Sequence, residues 1–272
     1  MKEKVNQLFQ EQLSEWYLAK KNYQALKLVK VKTLYVDRRR YQVQFNPARF
    51  KSSTAKVDPI SLLKRNCFLC GNNLPTEQKG IPFGERYTIL VNPYPIFPRH
   101  LTIPAVEHTP QLIASRFGDM LDLAQQLDEY TIFYNGPSCG ASAPDHFHFQ
   151  AGIKGILPIE NDRNWNAIRF ESENKQDLFL RFRQIYDTLP LKPDDSEPMM
   201  NILTWYGDNM WTVCLFPRKK HRPECYFVEG ENKMLISPAA ADMGGVLITP
   251  LEKDFEKITA ENIADILYEV MI

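Results

Sequence analysis

An α+β fold with a largely antiparallel sheet flanked by helices is predicted by three features of the sequence. Short alternating runs, close enough along the chain to pair as antiparallel neighbours, recur throughout. Runs with apolar residues three to four apart are mixed among them, without the strict strand–helix alternation of a parallel sheet. At 272 residues and 44% hydrophobic, the chain can bury a sizeable core without disulfides.

The elements follow in order. Val5, Leu8, Phe9, Leu13 and Trp16 are spaced as on an amphipathic helix. Val29–Val36 and Tyr41–Phe45 alternate as strands around a charged turn at Arg38, Arg39 and Arg40. Ser52 to Lys64 is polar and predicts a loop leading to a pair of cysteines. Tyr87–Val91 and His100–Ile103 are expected as buried strands around the proline-rich turn Pro93–Pro98. Leu112, Ile113, Phe117, Met120, Leu121, Leu123, Ala124 and Leu127 predict a helix, with Thr109 and Pro110 as N-cap and first-turn proline. Thr131–Tyr134 is expected as a strand, Asn135–Ser142 as a glycine-containing loop, and Asp145–Gly152 as a further strand. A polar stretch around Asn161–Gln176 precedes an expected helix near Asp177–Leu189 and a linker at Lys192–Pro198. Strands at Met200–Trp205, Met210–Phe216 and Val246–Thr249 and a helix at Ala260–Met271 complete the prediction. The order of elements allows two related halves, although no sequence repeat marks them.

Charge is balanced, with Lys+Arg 33 against Asp+Glu 33, which argues against bulk electrostatic binding to nucleic acid or a membrane surface. Met1 to Trp16 is polar, without the apolar core of a signal peptide, and no apolar run approaches the roughly 18 residues of a membrane span. A cytoplasmic location is therefore expected. The five cysteines are an odd number, and Cys67-Phe68-Leu69-Cys70 suggests metal or redox chemistry before a disulfide framework.

The sharpest motif is His146-Phe147-His148-Phe149-Gln150. On a strand it would place His146, His148 and Gln150 on one face, roughly 6.5–7 Å apart, and both phenylalanines on the other. A half-buried strand with satisfied histidines and a simple His-x-His metal chelate are the competing readings. In the Cys67/Cys70 pair, two thiolates at this spacing can share one tetrahedral Zn²⁺ with two further ligands. A turn, Gly71-Asn72-Asn73-Leu74-Pro75, follows the pair, which favours metal over thioredoxin-like redox chemistry. Further ligands must come largely from five histidines, and His108 stands on a loop from which it can reach a neighbouring strand end.

Taken together, Cys67-Phe-Leu-Cys70-Gly-Asn, Asn92, His108 and the glycine-bearing loop into His146-x-His148-x-Gln150-Ala151 resemble the histidine-triad superfamily. The similarity is to the branch of galactose-1-phosphate uridylyltransferases, dinucleoside tetraphosphate phosphorylases and GDP-hexose phosphorylases. It is specific from about Cys67 to Gly152 and diffuse elsewhere, including Asn201-Ile-Leu-Thr and Trp211 to Arg218. The resemblance implies a HIT-like fold and a structural Zn²⁺ on Cys67, Cys70, His108 and His146. It implies that His148 is the nucleophile taking up a nucleoside monophosphate group and that Gln150 hydrogen-bonds the transferring phosphoryl group. It further implies that Asn135 and Ser142 contact phosphate oxygens and that Asn92 lies near the nucleoside. Where the family has Ser-Asn-Pro-His, this chain has Ser142-Ala143-Pro144-Asp145-His146, one residue longer.

These roles agree with the chemistry of the side chains. A neutral imidazole, with an ordinary pKa of about 6.5, is a good nucleophile near pH 7. Amide donors from Gln150 and from the backbone of the Gly136–Gly140 loop could stabilise phosphoryl oxygens. Arg218, at the head of the basic run Arg218-Lys219-Lys220-His221-Arg222, is the candidate for the polyphosphate, with Arg99 a second; His100 is assigned no role.

The expected protein is thus a nucleotidyltransferase or phosphorylase working through an open pocket around His148. Its substrates would be a nucleotide-sugar or dinucleoside polyphosphate, with phosphate or a sugar 1-phosphate as acceptor. A catalytic half is expected over residues 1–155, and residues 156–272 would complete the sheet and substrate pocket. Members of this branch often dimerise, so a homodimer is among the expectations. Two alternatives stand beside this reading: a non-catalytic zinc-containing nucleotide-binding protein of the same fold, and a Cys-x-x-Cys redox protein.

Overall fold

The computed structural model describes residues 1–55 and 57–272, and these hold eleven strands in two sheets. The first strands are β1 (Lys30–Val36), β2 (Arg39–Phe45), β3 (Gly80–Phe83), β4 (Tyr87–Val91), β5 (His100–Pro104) and β6 (Tyr130–Asn135). They are followed by β7 (His148–Ile153), β8 (Ile168–Ser172), β9 (Met200–Gly207), β10 (Met210–Pro217) and β11 (Val246–Thr249). Eight form one sheet in the order β3-β4-β5-β7-β6-β9-β10-β8. Every neighbouring pair in it is antiparallel. The α+β class with a largely antiparallel sheet is therefore as expected. The smaller sheet, β1-β2-β11, pairs β1 with β2 antiparallel and β2 with β11 parallel.

Alternation along the strands sorts the large sheet into two faces. Ile89, Leu101, Ile132, Phe147, Phe149, Ile202 and Val213 turn to one face, where Leu8 and Phe9 of the first helix and Phe117 of the helix Phe117–Gln126 cover them. Phe117 also stacks on Phe182 of the helix Lys175–Thr188, ring centroids 4.1 Å apart, which ties two helices of this layer together. On the opposite face Phe97, Phe133, Leu203 and Phe216 meet Val43 and Val246 of the small sheet and Ile263 and Ile266 of the helix Ala260–Val270. The same alternation brings His100, Asn135, His148, Gln150 and Asn201 to this second face, at and beyond the edge of its apolar core. No helix among the described residues is long and apolar enough to cross a membrane.

Four differences from the predicted elements have local causes. The N-terminal helix is two, Lys2–Glu15 and Tyr17–Leu26, because Trp16, itself buried, adopts an extended conformation between them. Within the basic run only Arg38 lies in the turn, which it makes with Asp37 at positive φ (68° and 48°), while Arg39 and Arg40 already pair in β2. β3 and β8, at the two sheet edges, were not predicted; their neighbours β4 and β10 recruit them. The predicted loop at Ser52–Lys64 includes two short helices, Phe50–Ser53 and Pro59–Leu63, the second capped by the Asp58 carboxylate accepting from the Ser61 N–H.

A fifth difference bears on the site. The helix expected from Thr109-Pro110 begins only at Phe117. Upstream, the backbone is committed elsewhere: the Thr109 carbonyl accepts from Phe147 N–H (2.6 Å), and Gln111 N–H donates to the Pro144 carbonyl (3.1 Å). Tertiary hydrogen bonds to the histidine-bearing segment thus outweigh the local cap signal.

Candidate active site

The Cys67-x-x-Cys70 turn is closed by its own backbone. Cys70 N–H donates to the Cys67 carbonyl (3.4 Å), and the Asn73 side-chain amide donates to the same oxygen (2.9 Å). This aims both sulfurs at the turn preceding β7. Cys67 Sγ lies 3.3 Å from His146 Nδ1, and Cys70 Sγ lies 3.1 Å from His108 Nδ1 and 3.5 Å from His146 Nδ1. The four ligating atoms all fall within 4.8 Å of one another. A tetrahedral ion with bonds of roughly 2.0–2.3 Å requires ligand atoms roughly 3.3–3.8 Å apart, so the donor set is close to that spacing. His146 Nε2 is 2.8 Å from the Ala105 carbonyl, an arrangement that puts the proton on Nε2 and leaves Nδ1 for an ion. His108 Nε2 faces Asp145 at 3.6 Å, and Asp145 is paired with Arg65 at 2.9 Å. Burial opposes the Cys67 thiolate, but hydrogen bonding with His146 and the Leu69 and Cys70 amides outweighs it and holds the thiol below its ordinary value. These four residues could hold a metal ion.

His146 sits in a turn before β7 instead of on the predicted strand, and His148 is the first residue of that strand. The two phenylalanines pack into the core as expected, 4.8 Å apart and edge to face. His148 Nδ1 lies 2.9 Å from the His146 carbonyl oxygen, so Nδ1 carries the proton and donates it there. Nε2 makes no hydrogen bond among the described residues. Burial lowers the His148 pKa to about 4, which keeps the ring neutral at pH 7. The ring is 3% exposed, narrower access than the open pocket expected from sequence. A cleft of about 480 Å³ is lined by Val57, Leu62, Ser138, Pro144, Asp145 and His221; His148 itself does not line it.

Gln150 lies on the same side of β7, and its Oε1 is 3.0 Å from His100 Nε2. His100 Nδ1 accepts from Ile96 N–H (3.3 Å), so Nε2 carries the proton and donates to Gln150. Burial holds the His100 pKa at about 3, consistent with a neutral ring. The Gln150 amide orientation follows: its oxygen is occupied and its NH₂ is left to meet an acceptor. His100 is a residue sequence reasoning missed. Alternation along His100–Ile103 placed it on the face of Thr102, but nothing in the sequence tied it to Gln150.

Of the remaining predicted residues, Asn92 and Asn135 are committed within the protein. Asn92 donates to Thr102 Oγ1 (2.9 Å) and accepts from Tyr94 N–H (2.9 Å), which fastens the end of β4 to β5. Asn135 Oδ1 accepts from Asn201 Nδ2 (2.9 Å) and Ala240 N–H (2.8 Å). Gly136 is required by close packing, since a Cβ there would come within 2.9 Å of the Met200 carbonyl oxygen. Ser142 is half-buried, and among the described residues its hydroxyl makes no hydrogen bond.

Arg218 is not the exposed head of a basic cluster; it is 1% exposed. Phe216 of β10 faces the second core, and two residues further on the alternation carries Arg218 to the same interior side. Its guanidinium donates to the carbonyls of Val270, Pro238, Lys220 and His221 and to Asn201 Oδ1, which occupies all five N–H groups. No donor remains for a polyphosphate, so the expected role does not fit this geometry.

The same architecture occurs in solved structures. Yeast Ap4A phosphorylase Apa2 in complex with Ap4A is 18% identical, with a TM-score of 0.58 over 98% of this chain and 97% of that one. The same enzyme in complex with AMP is 17% identical, with a TM-score of 0.57 over 96% of each chain. This chain thus shares the fold of that phosphorylase. No protein of curated function matches the sequence. The family model described as a domain of unknown function, DUF4922, matches residues 8–153, more than half of the chain, and the chain belongs to that family.

Proposed function

We propose that this protein is a nucleotidyltransferase of the phosphorylase type, acting on a dinucleoside polyphosphate or nucleotide-sugar through a nucleotidyl-His148 intermediate. The observation that carries the reading is the hydrogen-bonding state of His148: Nδ1 is tied to the His146 carbonyl, Nε2 is uncommitted, and the oriented amide of Gln150 lies on the same side of the strand. Dinucleoside polyphosphates lead the choice of substrate, because the HIT-like neighbour is crystallised with Ap4A and with AMP.

In the first step the Nε2 lone pair attacks the α-phosphorus. The bond to the bridging oxygen breaks, and the leaving nucleoside polyphosphate, or sugar 1-phosphate, takes its electron pair. The ring becomes cationic, and Nδ1–H stays on the His146 carbonyl, which stabilises that charge. Gln150 NH₂ donates to a non-bridging phosphoryl oxygen. In the second step an oxygen of phosphate, or of a sugar 1-phosphate, attacks the same phosphorus and the P–N bond breaks, restoring neutral His148. Cys67, Cys70, His108 and His146 would hold Zn²⁺. With four protein ligands the ion supplies a structural anchor and leaves no open position for substrate.

The test is to incubate the protein with α-³²P-labelled Ap4A without phosphate, denature it, and look for label on the chain that survives alkali but not acid. The wild type should retain label and release it as nucleoside diphosphate when phosphate is added before denaturation. His148→Asn should retain none while keeping its fold and metal content. A non-catalytic nucleotide binder, the reading that near-complete burial of His148 would favour, retains no label in either form.

A further inference from the structure

We infer that Gln111 is a positioning residue for His148: its buried carboxamide is inserted between β6 and β7 and holds the backbone of the proposed nucleophile. This inference rests on the functional reading above for its catalytic consequence, and on the hydrogen bonds themselves for the rest.

The register shows why an insert is needed. β6 and β7 pair from Tyr130↔Ile153 to Phe133↔Gln150, and the ladder stops there. Continued for two residues, it would set Asn135 opposite His148. On its other side β7 is met by β5, where Pro104 opposes His148 and the Phe147 carbonyl accepts from Ala105 N–H (2.8 Å). Backbone groups of successive strand residues point to alternate neighbours, so both the N–H and the C=O of His148 point toward β6. Neither finds a β6 partner. Gln111, completely buried, fills the gap with its side chain. Its Oε1 accepts from His148 N–H (2.7 Å), while its Nε2 donates to the His148 carbonyl (2.9 Å) and to the Asn135 carbonyl (3.0 Å). One carboxamide thereby takes the place of a peptide unit in the ladder, with its one accepted and two donated bonds all placed.

Gln111 is itself fixed. Its N–H donates to the Pro144 carbonyl (3.1 Å), and its carbonyl accepts from Tyr134 Oη (3.0 Å). Glu197 accepts from Ile113 N–H (2.9 Å) and from Tyr134 Oη, which pins the same loop from behind. The loop also carries His108, three residues upstream, so one segment supplies both a candidate metal ligand on the approach to β7 and the brace at its first residue.

The experiment compares the wild type with Gln111→Met and Gln111→Glu as full-length proteins. Gln111→Met removes every bond of the insert; Gln111→Glu keeps the acceptor for His148 N–H and is the variant to use if the first fails to fold. Two quantities are read: the single-turnover rate constant and amplitude of labelling by α-³²P-Ap4A, and deuterium exchange of the segment containing the His148 amide. Gln111→Met should lower the rate constant roughly 10–100-fold, as loss of a supporting hydrogen bond does at other sites, and speed exchange at His148. Gln111→Glu should lie between. A purely structural residue would lower only the amplitude, in step with the folded fraction, and leave the rate constant unchanged; that result, or unchanged exchange in both variants, overturns the inference. If the wild type takes no label, the functional reading fails instead, and exchange still decides whether Gln111 holds His148.

Discussion

At His148 and Gln150, polarity is settled by which atom is already occupied. The His146 carbonyl takes Nδ1–H of His148, and His100 takes Oε1 of Gln150, so one ring nitrogen and one NH₂ group remain for chemistry. This makes the His100–Gln150 pair testable. Gln150→Ala should reduce transfer roughly 100-fold, the scale of losing one oxyanion donor. His100→Phe, which frees the amide to rotate, should reduce it by about tenfold or more, and the double variant should be no worse than Gln150→Ala alone. Multiplying effects in that cycle would show that His100 does not act through Gln150. The shared face of His148 and Gln150 was legible in the sequence because strand alternation fixes faces, whereas His146 lies in the turn before the strand. The fate of Arg218 was not, because a run of basic residues carries no sign of which member the strand turns inward. Its five donors go to the carbonyls of Lys220 and His221 close by and to Asn201, Pro238 and Val270 far along the chain, which no local pattern brings together.

At the level of elements, β7 is gripped near its first residue by the segments on either side of it. The Cys67–Cys70 turn and His108 meet the approach through His146, and Gln111 meets the strand at His148. Spacing alone made the cysteine turn readable, since two thiols three residues apart already share a turn. The helix start was misread because Thr109-Pro110 is a good cap, and local signals say nothing of the Phe147 and Pro144 backbone groups that claim those residues. The metal prediction belongs here. Purified protein should contain about one zinc per chain, and Cys70→Ser should lose it. Because a structural ion contributes folding free energy, chelation should lower the midpoint of thermal unfolding and slow labelling of His148. Metal-free wild type with an unchanged midpoint would remove zinc from the account.

For the molecule as a whole, one sheet joins residues on both sides of position 155, since β6 pairs with β9 and β9 with β10. The sequence reading placed the proposed chemistry between Cys67 and Gly152 because the candidate residues stand there at tight spacing. It left β8 and the packing of the small sheet obscure, where long-range pairing decides. Stability should carry the mark of a buried carboxyl. Burial raises the Glu197 pKa to about 7 even though it accepts from Tyr134 and from Ile113 N–H. Below about pH 4.5 both folded and unfolded states are protonated. As pH rises toward 7 the unfolded state releases its proton first, so stability should fall across that window by about 3 kcal/mol and then level off. Glu197→Gln, which can still accept from Ile113 N–H, should flatten that part of the pH profile measured by denaturant unfolding. An undiminished slope would place the titration elsewhere. The stretch from His108 to Gln111 has a consequence of its own. Its two ends are fastened to different parts of the structure, so its length acts as a ruler. A variant with one residue inserted between them must release one attachment or the other, and deletions there should be tolerated no better.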